Sequence, residues 1–405
     1  MRRGRRLFTR GGPLQPALLV QLLLFQVRYG STRGYARMLE AFWGEAQSLG
    51  LELPCEQPVS AQAFCEARSK LPPQIVRSLL HQAADDFDTQ YGPSFRWHGR
   101  RLLAVDGQRR SLQPCDALRR RFGVPEGSHY PMAHVTTLFD VISKVPLDTA
   151  VGPYGADERK QLFLVLDRAR EGDVLVLDRG YPAFDVLAML TVRKLDFIVR
   201  VPASNTFKAV EEFLATGRKD GVIELVPPSD CAMRDMEPLR MRIVVVRRDE
   251  EPWVLLTSLP PEQFPAEAIE DGYRRRWRVE TLHAEFVSKH FDQGFFHAKW
   301  TGGVEQEVYA QALFIAITRH LMAAAARDAE RPYEQISAKA AVLGVGDHLT
   351  RLMLGQPPEK AHAHLALLLR RIAAARYKPR PGRSYPRRSF LPGRKWGPAG
   401  RRSGA

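Results

Sequence analysis

Two aspartates in this chain each close a fully apolar run. Leu102-Leu103-Ala104-Val105 leads into Asp106-Gly107, and Val174-Leu175-Val176-Leu177 leads into Asp178-Arg179-Gly180-Tyr181. Short apolar runs that end on a turn signal read as buried strands. A carboxylate just past such a strand faces the crevice at the carboxyl end of an α/β sheet. Asp-Gly also makes ordinary turns, so neither acid is chemistry by itself. A third acid comes from Tyr273-Arg274-Arg275-Arg276-Trp277-Arg278-Val279-Glu280. On a helix, Tyr273, Arg276 and Glu280 fall within about 60° of one another. Arg276 and Tyr273 suit phosphate oxygens, and Glu280 suits a hard metal ion. The plain alternative is a surface helix held by an Arg276–Glu280 pair at i,i+4, with Trp277 and Val279 on its core side.

The surrounding pattern must position these residues. Residues 13–98 read as helical, with apolar periodicity over Ala36–Leu49 and Ser60–Lys70 and Ser60 as an N-cap. Strands are expected at Leu102–Val105, Val135–Val141, Pro146–Val151, Val174–Leu177 and Phe197–Val201. Helices are expected over Ala156–Arg170 and from Pro182, which suits a first helical turn. Such alternation implies an α/β core around a central sheet. Residues 205–262 read as a β-rich insertion, with strands at Val222–Val226, Met241–Arg247 and Trp253–Leu259. Helical pattern returns from Ala266 to about Phe291, then over Glu305–Ala326 and Lys360–Arg376. The expected organisation is a helical DNA-binding or accessory segment (1–98), the first part of the core (99–204), the insertion (205–262), a completion of the core carrying the Glu280 helix (263–330), C-terminal helices (331–376) and a basic tail (377–405).

Bulk properties narrow the class. At 405 residues, 44% hydrophobic and 26% charged, the chain fits a soluble protein of more than one domain. Its net charge of +15 points to an anionic partner, nucleic acid before a membrane surface. Residues 371–405 hold eleven Lys and Arg and no acid, punctuated by Pro and Gly. That segment reads as disordered in isolation, either a phosphate-contacting arm or a solvated tail. The four cysteines, Cys55, Cys65, Cys115 and Cys231, form no Cys-x-x-Cys pair, which argues against a zinc ribbon and a disulfide framework and for a reduced cytoplasmic protein. Arg2, Arg3, Arg5 and Arg6 ahead of Ala17–Val27 imitate a signal peptide. Gln21 and Gln26 interrupt that run, no small-residue cleavage site follows, and it is too short to span a bilayer. A buried helix, and no membrane partner, is the expectation.

Taken together, Tyr273-x-x-Arg276-Trp277-x-x-Glu280, Asp106-Gly107 and Asp178-Arg179-Gly180-Tyr181 resemble the DDE transposases of bacterial insertion sequences, in particular the family named after insertion sequence four. The acids follow the family's order, spaced by 72 and 102 residues, the long second interval holding the β-rich insertion. The similarity runs over roughly residues 30–335 and takes in Ser60–Leu71, Glu158-Arg159 and Arg200. It implies an RNase H-like (retroviral-integrase-like) α/β core in which Asp106, Asp178 and Glu280 bind two Mg²⁺ ions, with Mn²⁺ as a substitute. Two such ions can activate the attacking oxygen and stabilise the leaving one. The implied partners are double-stranded DNA, as terminal inverted repeats and target, and a second copy of the chain on paired ends. The implied location is the cytoplasm, at the nucleoid. Some relatives pass through a DNA hairpin. Trp253, within Pro252–Ser258, resembles a strand tryptophan that receives a flipped base, and Trp277 one linked to the hairpin step. Both also suit core aromatics. Tyr273, Arg276, Arg179 and Arg200 complete the expected DNA contacts.

One position departs from the pattern. The family carries a Lys seven residues after the Glu, where this chain has Val287; Lys289 lies about 180° from Glu280 on an ideal helix. A decayed relic that binds DNA without cutting it therefore stands beside the active transposase, as does a nuclease on the same fold. Glu280-x-x-His283 also matches half of a di-iron site, but no second Glu-x-x-His occurs on a comparable apolar helix. His283, His290 and His297, spaced by seven, could line one helical face; surface or DNA-facing histidines are the simpler reading.

Overall fold

A computed structural model of the chain describes residue 8 and residues 12–29, 34–231, 233–247, 252–276, 296–354 and 357–377. Its strands are β1 (Leu102–Ser111), β2 (Met132–Asp140), β3 (Pro146–Pro153), β4 (Val174–Leu177), β5 (Asp196–Val201), β6 (Asp220–Leu225), β7 (Leu239–Val246) and β8 (Trp253–Thr257). They join into one eight-stranded mixed sheet in the order β3-β2-β1-β4-β5-β8-β7-β6. β1 to β3 form an antiparallel meander. β4 and β5 run parallel to β1, and β8, β7 and β6 alternate antiparallel beyond β5. The three strands of 205–262 thus extend the sheet past β5, with Val199 level with Leu256. All four residues of β4 are buried, as expected for a central parallel strand covered on both faces.

Helices cover the sheet. They are α1 (Pro16–Tyr29), α2 (Tyr35–Ser48), α3 (Ala61–Lys70), α4 (Pro73–Tyr91), α5 (Asp116–Phe122), α6 (Glu158–Phe163), α7 (Phe184–Val192), α8 (Lys208–Ala215), α9 (Ala266–Arg275), α10 (Thr301–Asp328), α11 (Ala338–Met353) and α12 (Pro358–Ala374). Ser60 caps α3, its hydroxyl accepting the Ala63 N–H at 3.1 Å. The apolar N-terminal run folds as α1, with Leu19, Leu22, Leu23 and Phe25 at most 1% exposed. α10 is long and apolar enough to cross a membrane by length and composition, yet 78% of its most apolar window is buried within the protein. It packs against α4, α1 and β3 as a core helix.

α3 is fastened to α10 by a buried polar network. The Arg68 guanidinium, 0% exposed, donates to the Glu307 Oε1 at 3.1 Å, the Gln306 Oε1 at 3.0 Å, the Tyr35 hydroxyl at 2.6 Å and the Gly303 carbonyl at 3.2 Å. Glu307 also accepts from the Tyr35 hydroxyl and the His297 N–H. Buried charges are tolerated when paired and hydrogen-bonded in this way.

Three local expectations change. The helix expected from Pro182 starts instead at Phe184, after an extended Ala183 at its N-cap. The helix expected over 156–170 breaks into α6 and a single tight turn at Leu166–Arg168. The tightening buries both Val165 and Leu166 while Arg168 reaches Asp85 at 2.6 Å. β1 does not end at Asp106-Gly107 but runs on to Ser111, because β2 supplies an antiparallel partner for every residue from Leu103 onward.

Candidate active site

The difference in length between β1 and β4 shapes this region. β4 pairs with Leu102–Ala104 alone and stops at Leu177, whereas β1 continues for seven residues beyond Ala104. A notch results, with Asp106 on its β1 wall and Asp178 at its β4 end. The parallel register places each β1 residue opposite the β4 residue 72 positions later, and Asp106 and Asp178 are separated by those same 72 positions. Carried on past the paired residues, that register would set Asp178, the residue just after β4, level with Asp106, about 5 Å away in a regular sheet. Both are half-buried. The Asp106 Oδ1 accepts its neighbour's Gly107 N–H at 3.0 Å. The Asp178 Oδ1 accepts the Gly180 N–H at 2.8 Å, which fixes the Asp-Arg-Gly-Tyr turn.

The Tyr181 phenol, 3% exposed, gathers the charges around this notch. Burial and then the negative charges of Glu158, Asp178 and Asp106 push its pKa far above the ordinary tyrosine range, while Arg276 opposes the shift. Three acids and one guanidinium thus sense one hydroxyl. Glu158 arrives from the first turn of α6 and flanks Gly180. A Cβ on that glycine would lie 3.2 Å from the Asp178 Oδ1 and 3.5 Å from the Glu158 Oε2. His134 on β2, 2% exposed, backs the same region; a Cβ on Gly107 would meet its Nε2 at 2.4 Å. Burial lowers the His134 pKa despite the nearby Glu158 and Asp106 carboxylates.

α9 brings the remaining candidates. Tyr273 is 1% exposed and Arg276 9%. The Arg276 guanidinium hydrogen-bonds the Tyr273 hydroxyl, with its carbon 5.7 Å from the ring centroid. Burial raises the Tyr273 pKa, with Arg276 and Arg200 lowering it and Asp178 raising it. Trp253, at the start of β8, sets its ring edge against Tyr273 at 5.0 Å. It is half-buried. Arg179 stands apart. It is exposed, has no hydrogen bond or ion pair among the described residues, and lines a cleft of about 560 Å³ with Arg159, Asn205, Phe207 and Asp230. Glu280, Trp277, Val287, Lys289, His283 and His290 lie outside the described residues. His297 is tied into the Arg68 network, its ring nitrogen 3.1 Å from the Gln26 amide.

Tyr181 and Glu158 stand in motifs legible in the chain without a role attached to either; His134 carries no sequence signal, because its place follows from strand pairing. The carboxylates of Asp106 and Asp178 are the hard oxygen donors that a divalent ion prefers. Among the described residues, no three His, Cys, Asp or Glu side chains lie close enough to hold an ion. A full ligand set therefore needs a donor from another segment.

The family model of the transposase DDE domain matches residues 97–318, more than half of the chain. The chain belongs to the transposase DDE domain family. Domains of this family carry out transposition and generally use divalent metal ions. The matched region of this DDE domain begins at Trp97, just before β1, and ends within α10, so it takes in the whole sheet. Among solved structures, a piggyBac transposase synaptic complex with hairpin DNA is similar at 12% identity and a TM-score of 0.44, covering 94% of this chain and 81% of that one. No curated protein matches in sequence.

Proposed function

We propose that this DDE domain protein is a cut-and-paste DNA transposase of the type named after insertion sequence four, with Asp106, Asp178 and Glu280 as its catalytic acids. The observation that carries the reading is the notch: one acid on β1 and one just past the end of β4, both acting on a buried phenol that also senses Arg276. Arg276 lies four residues before Glu280, one helical turn if α9 continues. The core reads as RNase H-like. Its support is the order β3-β2-β1-β4-β5, three antiparallel strands followed by two parallel ones.

Asp106, Asp178 and Glu280 would hold two Mg²⁺ ions, which when bound supply a stronger nucleophile at neutral pH and stabilise charge on the leaving oxygen. Arg276 and Arg200 neutralise the phosphate at the cleaved bond. Tyr273 acts through Arg276, holding its guanidinium by a hydrogen bond from beneath. Arg179 meets the DNA backbone from the exposed side. Trp253, half-buried beside Tyr273, is the aromatic surface that would receive an extruded base. In the first step water attacks a phosphodiester at the element end and a 3′-OH leaves. In the second that 3′-OH attacks a target phosphodiester. The net charge of +15 and the basic tail favour contact with DNA phosphates, and the family resemblance supports two copies of the chain on paired ends.

The test uses the full-length protein and DNA carrying the ends that flank its gene. Asp106→Asn, Asp178→Asn and Glu280→Gln should each reduce Mg²⁺-dependent cleavage by about 10³-fold or more, since ion placement contributes several kcal/mol. DNA affinity should persist. Any one of these variants cutting like wild type refutes the assignment of that acid. Wild type that binds its ends without cutting supports a relic, in line with Val287. Cutting without end preference or strand joining supports a nuclease.

A further inference from the structure

Arg110 lies four residues beyond Asp106 on β1 and, by strand alternation, on the same face. It is 9% exposed. Among the described residues it makes no hydrogen bond or ion pair, and its Nε is buried without an acceptor. Three other buried arginines are matched by carboxylates: Arg68 by Glu307, Arg101 by Asp173 and Arg242 by Asp220. Burial, with no counter-charge against it, lowers the Arg110 pKa to about 10, still far above neutrality, so the cation persists. The Phe296 ring lies 6.0 Å from its guanidinium carbon, at the outer limit of a cation–π contact. An unpaired charge in such a place carries a large desolvation cost.

Arg110 also lines a cavity between the sheet and α10. Its free volume is about 40 Å³, and Gln108, Thr137, Phe139, Thr149 and Gln311 line it too. That volume admits one or two particles of water size. Among the described residues no carboxylate borders it, and two primary amides can turn their N–H groups inward. We infer that this cavity binds a monoatomic anion of chloride size, with Arg110 as the counter-charge and the Gln108 and Gln311 amides as donors. A monoatomic anion matches that space more closely than sulfate, inorganic phosphate or a DNA phosphodiester does. The site lies about 13 Å along β1 from Asp106, uses no residue of the proposed active site, and stands whether or not the chain cuts DNA.

The experiment is thermal unfolding of the full chain at fixed ionic strength in sodium chloride, bromide, gluconate or sulfate. Chloride and bromide should raise Tm saturably over gluconate, by about 1–3 °C near 0.15 M, whereas sulfate should give only the non-saturating rise of a salt excluded from the protein surface. Arg110→Met, similar in length and uncharged, should lose the halide-specific rise while keeping the general salt response. Crystals grown in bromide should give an anomalous peak beside the guanidinium, a readout that holds if the variant fails to fold. Halides equal to gluconate in wild type, a halide rise that does not saturate, a variant that keeps the rise, or no bromide peak in the cavity would each overturn the inference.

Discussion

Replacing Arg68 by Met takes a guanidinium out of a site where it is 0% exposed and bonded to four acceptors. Removing one partner of a buried ion pair typically costs about 3–5 kcal/mol, because the other charge is left uncompensated. The two halves of this pair differ. Without Arg68, Glu307 still accepts from the Tyr35 hydroxyl at 3.0 Å and the His297 N–H at 2.8 Å, which places Arg68→Met near about 3 kcal/mol. Without Glu307, Arg68 keeps only neutral acceptors, which places Glu307→Leu near about 5 kcal/mol. In the double variant neither charge remains, so its cost should fall below the sum of the single costs by about 2–3 kcal/mol. Urea midpoints, with m unchanged between variants, supply the cycle. Single and double costs that add within about 0.5 kcal/mol would refute the idea that these charges hold α3 to α10 as a pair.

Two further perturbations test the sheet around the notch. Burial raises the Asp140 pKa to about 6, against bonds from the Ser143 and Ile142 N–H groups and the nearby Arg101. The folded state then binds more protons than the unfolded one between about pH 4 and 6. Stability is complete below the ordinary carboxylate value and falls by roughly 3 kcal/mol as pH rises through 6. Asp140→Asn, which keeps the accepting oxygen, should flatten that fall and unfold later than wild type at pH 7.5, with little difference at pH 4; parallel Tm profiles from pH 4 to 8 would count against it. Gly107→Ala would push a methyl to within 2.4 Å of the buried His134 Nε2, an overpacking worth about 1–3 kcal/mol. Its Tm should drop and recover when His134→Ala is added, whereas an unchanged Tm in the single variant would show that the ring yields freely.

The sequence and the fold meet at particular residues. Apolar runs ending in acids marked β1 and β4, and Ser60 marked the start of α3, because burial and capping leave local traces. The extension of β1 past Asp106 left none, since it depends on a partner strand that begins at Met132. Strand pairing also put His134 behind Gly107. The spacing of 72 looked like a family habit, and the parallel register of β1 and β4 carries the same offset of 72 positions. Tyr273 read as a DNA-facing phenol from helical phase, yet Trp253 and Arg276 close over it, a contact between elements that periodicity does not encode. Arg110 and its cavity were invisible for the same reason.

The brevity of β4 has a wider effect. Strand rims normally occur at the outside of a sheet, where they recruit further strands. Here the four residues of β4 leave a stretch of rim in the interior, along the side of β1 from Val105 onward that β4 does not reach. A β4 longer by one or two pairs would zip that rim shut and place main chain where a substrate must enter. Insertions that lengthen β4 should thus be harder to tolerate than insertions at β6, whose outer side already faces away from the sheet.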